Sequence, residues 1–541
     1  MAPSSSSASR GSLATKTVRA PRGTTLSCRG WPQEAALRML MNSLDEEVAE
    51  QPRNLLVDGS TGRAAHDWPS YHSIVGALRE LQDDETLIVQ SGKPAGVVKT
   101  SELAPRVLII GSSPTKEAAE RSPRPMPTSP GHWRAARWAA IGQQAALATF
   151  YETFAAVARR HFHGELAGRW VVTGGMGGTG GAQGLAATLH GAVFLGIEAD
   201  GERIRRRVRS GYCDIGVNSL EEALRLIKNA VRQKRAVSVG LVGNCAEVLP
   251  ELARRGAVPD VLTDLTAADD PLGGYLPAGM NADEAAALRE RNPEDYRKRA
   301  LESLARHASA MLELKGLGAV VFDLGNYLGW RASVEAGVRD AESLPNYVTE
   351  YLQPLLDEGR RPLRWVALSG ERSDIRRVDA LAAELMGDDQ ALNPWIQLAQ
   401  RRVRFQGLPA RAAWLTQEQR VHWGVRIHEL VQVGQLKAPF VLAPEQLDGG
   451  SREAAGERSD AAEGPRVEAL LSWGCGASWV SFEREEGRER AGLAVVADGS
   501  RAAVERIERA LRLDGPPAAL PSTEERRAGD GASSQSPKSG N

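Results

Sequence analysis

The chain has 541 residues, 42% hydrophobic and 25% charged, a length that allows two to four domains with substantial buried cores. Its 67 Lys and Arg offset 68 Asp and Glu, so net charge gives no pull toward nucleic acid or an anionic membrane. No apolar run approaches the roughly 18 residues of a spanning helix. Four scattered cysteines, Cys28, Cys213, Cys245 and Cys475, have neither disulfide nor metal-ligand spacing and point to a reducing, cytoplasmic setting.

Residues 1–17 open Ser-rich and read as a disordered tail, with a transit peptide as the alternative. Residues 33–44 place Leu37, Leu40, Met41 and Leu44 on one face of a helix. The apolar runs 86–89 and 106–110 read as buried strands, and the polar, Pro-rich stretch 111–131 as a loop. From about residue 150 helix and strand alternate. Ser219 and Glu222 have the spacing of a capping box, and strands are expected at 237–242, 260–263 and 319–322. Such alternation implies a parallel sheet covered on both faces. A different α/β region follows residue 348, with strands near 365–368, 440–442 and 479–481. Residues 448–465 interrupt it, and residues 513–541 have the composition of a second disordered tail.

The richest motif lies at residues 170–183. An apolar run ends in six glycines among the eight residues 174–181, and helix formers follow. Gly175, Gly177 and Gly180 fit the G-x-G-x-x-G fingerprint, whose glycines let the backbone turn and approach a pyrophosphate. A second apolar run ends in Glu198, eighteen residues beyond Gly180, near the spacing of the acid that holds an adenosine ribose. NAD is the cofactor this pattern suits. Taken alone, it equally fits an NAD-linked dehydrogenase.

Over residues 18–499 the chain resembles the urocanase (urocanate hydratase) family. The matching segments include residues 19–23 (RAPRG), 33–42 (QEAALRMLMN), 89–94 (VQSGKP), 151–154 (YETF), 274–277 (GYLP) and 405–411 (FQGLPAR), besides the glycine motif. The resemblance implies a Rossmann-like NAD-binding domain, residues 140–348, inserted between segments 18–130 and 349–512 that form a second α/β core domain, usually in a homodimer. It implies a hydro-lyase of histidine degradation that adds water to urocanate to give imidazolone propionate. NAD⁺, held tightly, serves as an electrophile toward the imidazole ring. The NAD contacts carried over are Gly59, Ser60, Gly178, Thr179, Gly180, Glu198, Arg203, Asn244, Cys245, Leu265, Thr266, Ala267, Ala268, Asp269, Tyr275 and Leu276. Arg364 and Arg411 are the cations expected on the urocanate carboxylate, and Asp448 is the candidate acid/base.

The departures cluster at the chemistry. Ala413 stands where the family has its active-site cysteine, Asp58 replaces the tyrosine of a Y-G-G motif, and residues 265–269 (LTAAD) replace Q-T-S-A-H. A glycine-rich loop is replaced by residues 482–492, carrying Glu483, Glu485, Glu486 and Glu489 with Arg484, Arg488 and Arg490. Polar groups are lost while the scaffold is kept, so the alternative function is a catalytically impaired or substrate-shifted NAD-binding paralogue. No metal is expected, because no His, Cys and carboxylate set has metal spacing.

Overall fold

Apolar strands separated by helix-period segments assemble into two large sheets. The computed structural model describes residues 17–58, 62–111, 133–387, 389–447, 464–485 and 488–513. The central βα units pair in parallel, because each crossover helix returns the chain to the same end of the sheet. Strand order across this six-stranded sheet is Val320–Asp323, Val261–Asp264, Trp170–Gly174, Val193–Glu198, Val237–Val242 and Ile215–Val217. All neighbouring pairs are parallel. Every residue of Val193–Glu198 is buried, as a strand covered on both faces requires. From Trp170–Gly174 the chain builds outward on one side; after Val237–Val242 it returns to place Val261–Asp264 on the other. That reversal opens a crevice at the carboxyl ends of Trp170–Gly174 and Val261–Asp264, the place where ligands bind in such sheets.

The second sheet has eight strands, in the order Ala410–Leu415, Arg361–Ala367, Phe440–Pro444, Arg488–Ala497, Trp479–Glu485, Val107–Ile110, Glu85–Gln90 and Lys93–Lys99. Three of its strands precede the six-stranded sheet in sequence and five follow it. The fold is therefore α/β, with a Rossmann-like domain inserted in a second α/β core. The helix Trp31–Asn42 fastens the two ends of that core together. Its buried Arg38 pairs with Glu34 at 2.8 Å and donates to the Gly23 and Leu368 carbonyls.

Several local expectations change in the folded chain. Ser219 caps the helix Leu220–Arg232 by accepting from the Glu222 amide at 3.3 Å. Of the segment read as a loop at residues 482–492, residues 482–485 and 488–492 are instead strand, in the antiparallel pair Trp479–Glu485 and Arg488–Ala497. In it Glu483 sits directly opposite Arg490 and pairs with it at 2.5 Å, a cross-strand charge pair. Strand Ala410–Leu415, which the sequence left unassigned, is fully buried. Among the described residues no helix is long and apolar enough to cross a membrane.

Candidate functional site

The crevice is part of a cleft of about 1750 Å³ between the inserted domain and the core. The glycine turn forms its floor, and three glycines there have three distinct roles. Gly175 adopts φ +83°, and a Cβ on it would meet the Leu265 carbonyl at 2.4 Å. A Cβ on Gly180 would strike the Gly175 carbonyl at 2.4 Å, so this glycine lets the following turn pack on the strand end. Among the described residues a Cβ on Gly177 would find nothing nearer than Arg203 at 3.8 Å, and Gly177 lines the cleft. A tight turn, an accessible backbone and close packing are what a pyrophosphate cradle needs in that order. The 3₁₀ turn Gly180–Ala182 then leads into the helix Gln183–Leu189.

Glu198 ends its strand beside this turn and is buried. One carboxylate oxygen accepts from the Met176 amide at 2.8 Å and the other from Asp200 at 3.0 Å, with Arg203 Nη1 at 3.5 Å. The acid thus braces the glycine turn and faces the cleft. Asn244 caps the helix Cys245–Arg254, and its amide donates to the Leu276 carbonyl at 2.9 Å.

Gly178, Thr179, Gly180, Glu198, Arg203, Asn244, Cys245, Leu265, Thr266, Ala267, Asp269, Tyr275 and Leu276 all line the cleft. Ala268 does not: its side chain is fully buried in the apolar core of the inserted domain. Gly59, Ser60 and Asp448 lie outside the described residues. Glu50, which carries no sequence signal, and Gln406 also line the cleft. Glu50, from the N-terminal segment, pairs with the buried Arg207 at 2.6 Å, and Arg207 also donates to the Met176 carbonyl at 3.0 Å. Gln143 donates to the Gly178 carbonyl through its side chain and to Gln406 Oε1 at 2.6 Å through its backbone N–H.

The two expected substrate arginines do not come together. Trp365 lies opposite Arg411 and Arg364 opposite Ala412 on adjacent antiparallel strands, so Arg364 and Arg411 project from opposite faces of the sheet. Arg364 pairs with Glu445 at 2.6 Å and donates to the Ala139 carbonyl. It lines a separate small cavity of about 130 Å³ beside Gly178 and Thr179, shared with Glu483 and Arg490. Arg411 lines the large cleft and makes a two-point pair with Asp379, at 2.6 and 3.2 Å. Its buried Nη1 has no hydrogen-bond partner among the described residues. A joint clamp on one carboxylate is therefore excluded by the register of the two strands. Ala413, on the same face as Arg411, is fully buried.

Below the cleft the fold gathers a polar cluster that sequence spacing did not reveal. Asp264, at a strand end, holds Thr266 Oγ1 at 2.8 Å and accepts from the Asn326 amide. Its other oxygen lies 3.4 Å from His307 Nε2, on the long helix Pro293–Gly316. His307 Nδ1 lies 3.2 Å from the Tyr275 hydroxyl. Burial raises the Asp264 carboxyl to about 7 and lowers His307 to about 3, since both ionised forms lose hydration. Burial, then the neighbouring Asp264 and Glu198 carboxylates, raise the Cys245 thiol well above its usual range.

Comparison with known families gives three matches in chain order. The model described as the urocanase N-terminal domain matches residues 18–121, that described as the urocanase Rossmann-like domain residues 142–351, and that described as the urocanase C-terminal domain residues 354–518. Among solved structures, quinate dehydrogenase from Corynebacterium glutamicum in complex with NAD aligns over 41% of this chain at 16% identity. The alignment spans 64% of that chain, less than two thirds of its length, with a TM-score of 0.17.

Proposed function

Because this chain belongs to the urocanase family, we propose that it is a urocanate hydratase-type hydro-lyase of histidine degradation that works with tightly held NAD⁺. The observation that carries this reading is the cleft floor. There a positive-φ glycine turn, an open Gly177 backbone and the strand-end Glu198 meet at the topological switch point. These residues fit a dinucleotide: Gly177 and Gly178 admit the pyrophosphate, and Glu198 has lone pairs left for ribose hydroxyls. Bound there, NAD⁺ supplies the electrophile that prepares the substrate side chain for water.

The chain's own residues hold and orient. Arg203 offsets the Glu198 charge. Arg411, which lines the cleft, is the cation for the urocanate carboxylate, while its bond to Asp379 fixes the guanidinium plane. Asp448 is our candidate acid/base, and a homodimer our candidate assembly, both on the family resemblance alone.

The test is direct. Purified protein should release NAD on denaturation and should consume the ultraviolet band of added urocanate without net change in nicotinamide absorbance. Fully NAD-loaded protein that leaves urocanate untouched would end the hydratase reading. The second reading, a paralogue that binds NAD but has lost or shifted turnover, is favoured by Ala413. That position offers no thiol and is sealed in the core.

A further inference from the structure

We propose that Cys245, Asp264 and His307 form a binding site for one divalent transition ion of the zinc type, at the part of the cleft wall that Cys245 lines. The three residues come from a helix start, a strand end and the middle of a long helix. All three are buried, and one ligand atom from each lies within 4.8 Å of the others.

Two features of the cluster ask for a cation. Asp264 Oδ1 and His307 Nε2 face each other at 3.4 Å, yet among the described residues neither has a hydrogen-bond partner. A tetrahedral zinc ion with ligands at about 2.0–2.3 Å holds its donor atoms about 3.3–3.7 Å apart, so this pair already has the required spacing. A proton between them would satisfy only two of the three donors; a metal ion satisfies the sulfur as well. The space exists because residue 174 is glycine. A Cβ there would lie 2.2 Å from Asp264 Oδ1 and 2.8 Å from Cys245 Sγ.

The surroundings match those of metal ligands. His307 is oriented through Nδ1 by Tyr275, and the second Asp264 oxygen is held by Thr266 and Asn326. Such outer partners fix the tautomer and direct the free lone pairs inward. One thiolate, one imidazole and one carboxylate select zinc or cobalt over magnesium or calcium. The proposal does not rest on the hydratase reading, and none of its tests uses urocanate or NAD.

The full-length protein should be stripped with chelator, loaded with zinc, dialysed and analysed for metal. About one equivalent is expected in the wild type and background levels in Cys245→Ser and His307→Asn. Cobalt-loaded wild type should show a thiolate-to-cobalt charge-transfer band that Cys245→Ser abolishes. Tyr275→Phe should weaken zinc about 10–100-fold in competition with a chromophoric chelator; this milder change decides the matter if the ligand variants fail to fold by circular dichroism. Folded wild type that retains no zinc overturns the proposal. Equal retention by Cys245→Ser and His307→Asn would overturn it too.

Discussion

Single side chains at the cleft divide into those that hold the fold and those left free for a ligand. Glu198 does both, since it braces Met176 and faces the cleft. Glu198→Ala should therefore lower NAD affinity at least about tenfold, the loss of one charge-assisted hydrogen bond. Bound NAD measured after gel filtration checks this, and wild-type content in the variant would refute the ribose assignment. Arg364 belongs to the first kind. Arg364→Met leaves Glu445 buried without its partner and should cost about 3–5 kcal/mol, whereas Arg364→Met combined with Glu445→Leu should recover most of that. Denaturant midpoints of the two variants decide it. A double variant as unstable as the single one would show that the pair is not what Arg364 contributes.

Among the elements, the helix Gln144–His161 carries an acid where its buried face needs none. Burial raises Glu152 from 4.5 to about 7, against the lowering influence of the Arg159 charge. The folded state then holds its proton to higher pH than the unfolded chain does. Its contribution is full below about pH 4.5 and is lost as pH rises through about 7. Glu152→Gln should remove that slope, and at pH 8 it should exceed wild-type stability by on the order of 2–3 kcal/mol. Melts at pH 5 and pH 8 measure it, and parallel pH profiles for the two proteins would contradict it. The hairpin of Trp479–Glu485 and Arg488–Ala497 makes a related point. A run of alternating charges has the composition of a loop, yet Glu483 and Arg490 become neighbours once the strands pair.

At the scale of the whole molecule, the cleft exists because two bodies meet. Glu50 of the core and Arg207 of the inserted domain hold that junction with a 2.6 Å pair, which also reaches the glycine turn. Glu50→Gln should weaken NAD binding and lower the melting midpoint together, by about 1–3 kcal/mol in stability. Glu198→Ala, by contrast, should act mainly on affinity. Calorimetric melts with and without NAD separate the two, and an unchanged midpoint in Glu50→Gln would deny the junction its role.

The amino-acid order alone determined the local units: the glycine turn, the Glu198 strand end, the helix-strand alternation and the family resemblance. The first three rest on periodicity or spacing within some thirty residues, where backbone geometry and hydrophobic patterning act directly; the resemblance rests on matching segments spread over residues 18–499. Tertiary structure decided which groups meet. Glu445 claims Arg364 from 81 positions away and Asp379 claims Arg411 from 32. Strand register sends those arginines to opposite faces, and Cys245, Asp264 and His307 converge from three separate elements. Such meetings depend on how sheets and helices stack, and the spacing of residues along the chain does not encode them.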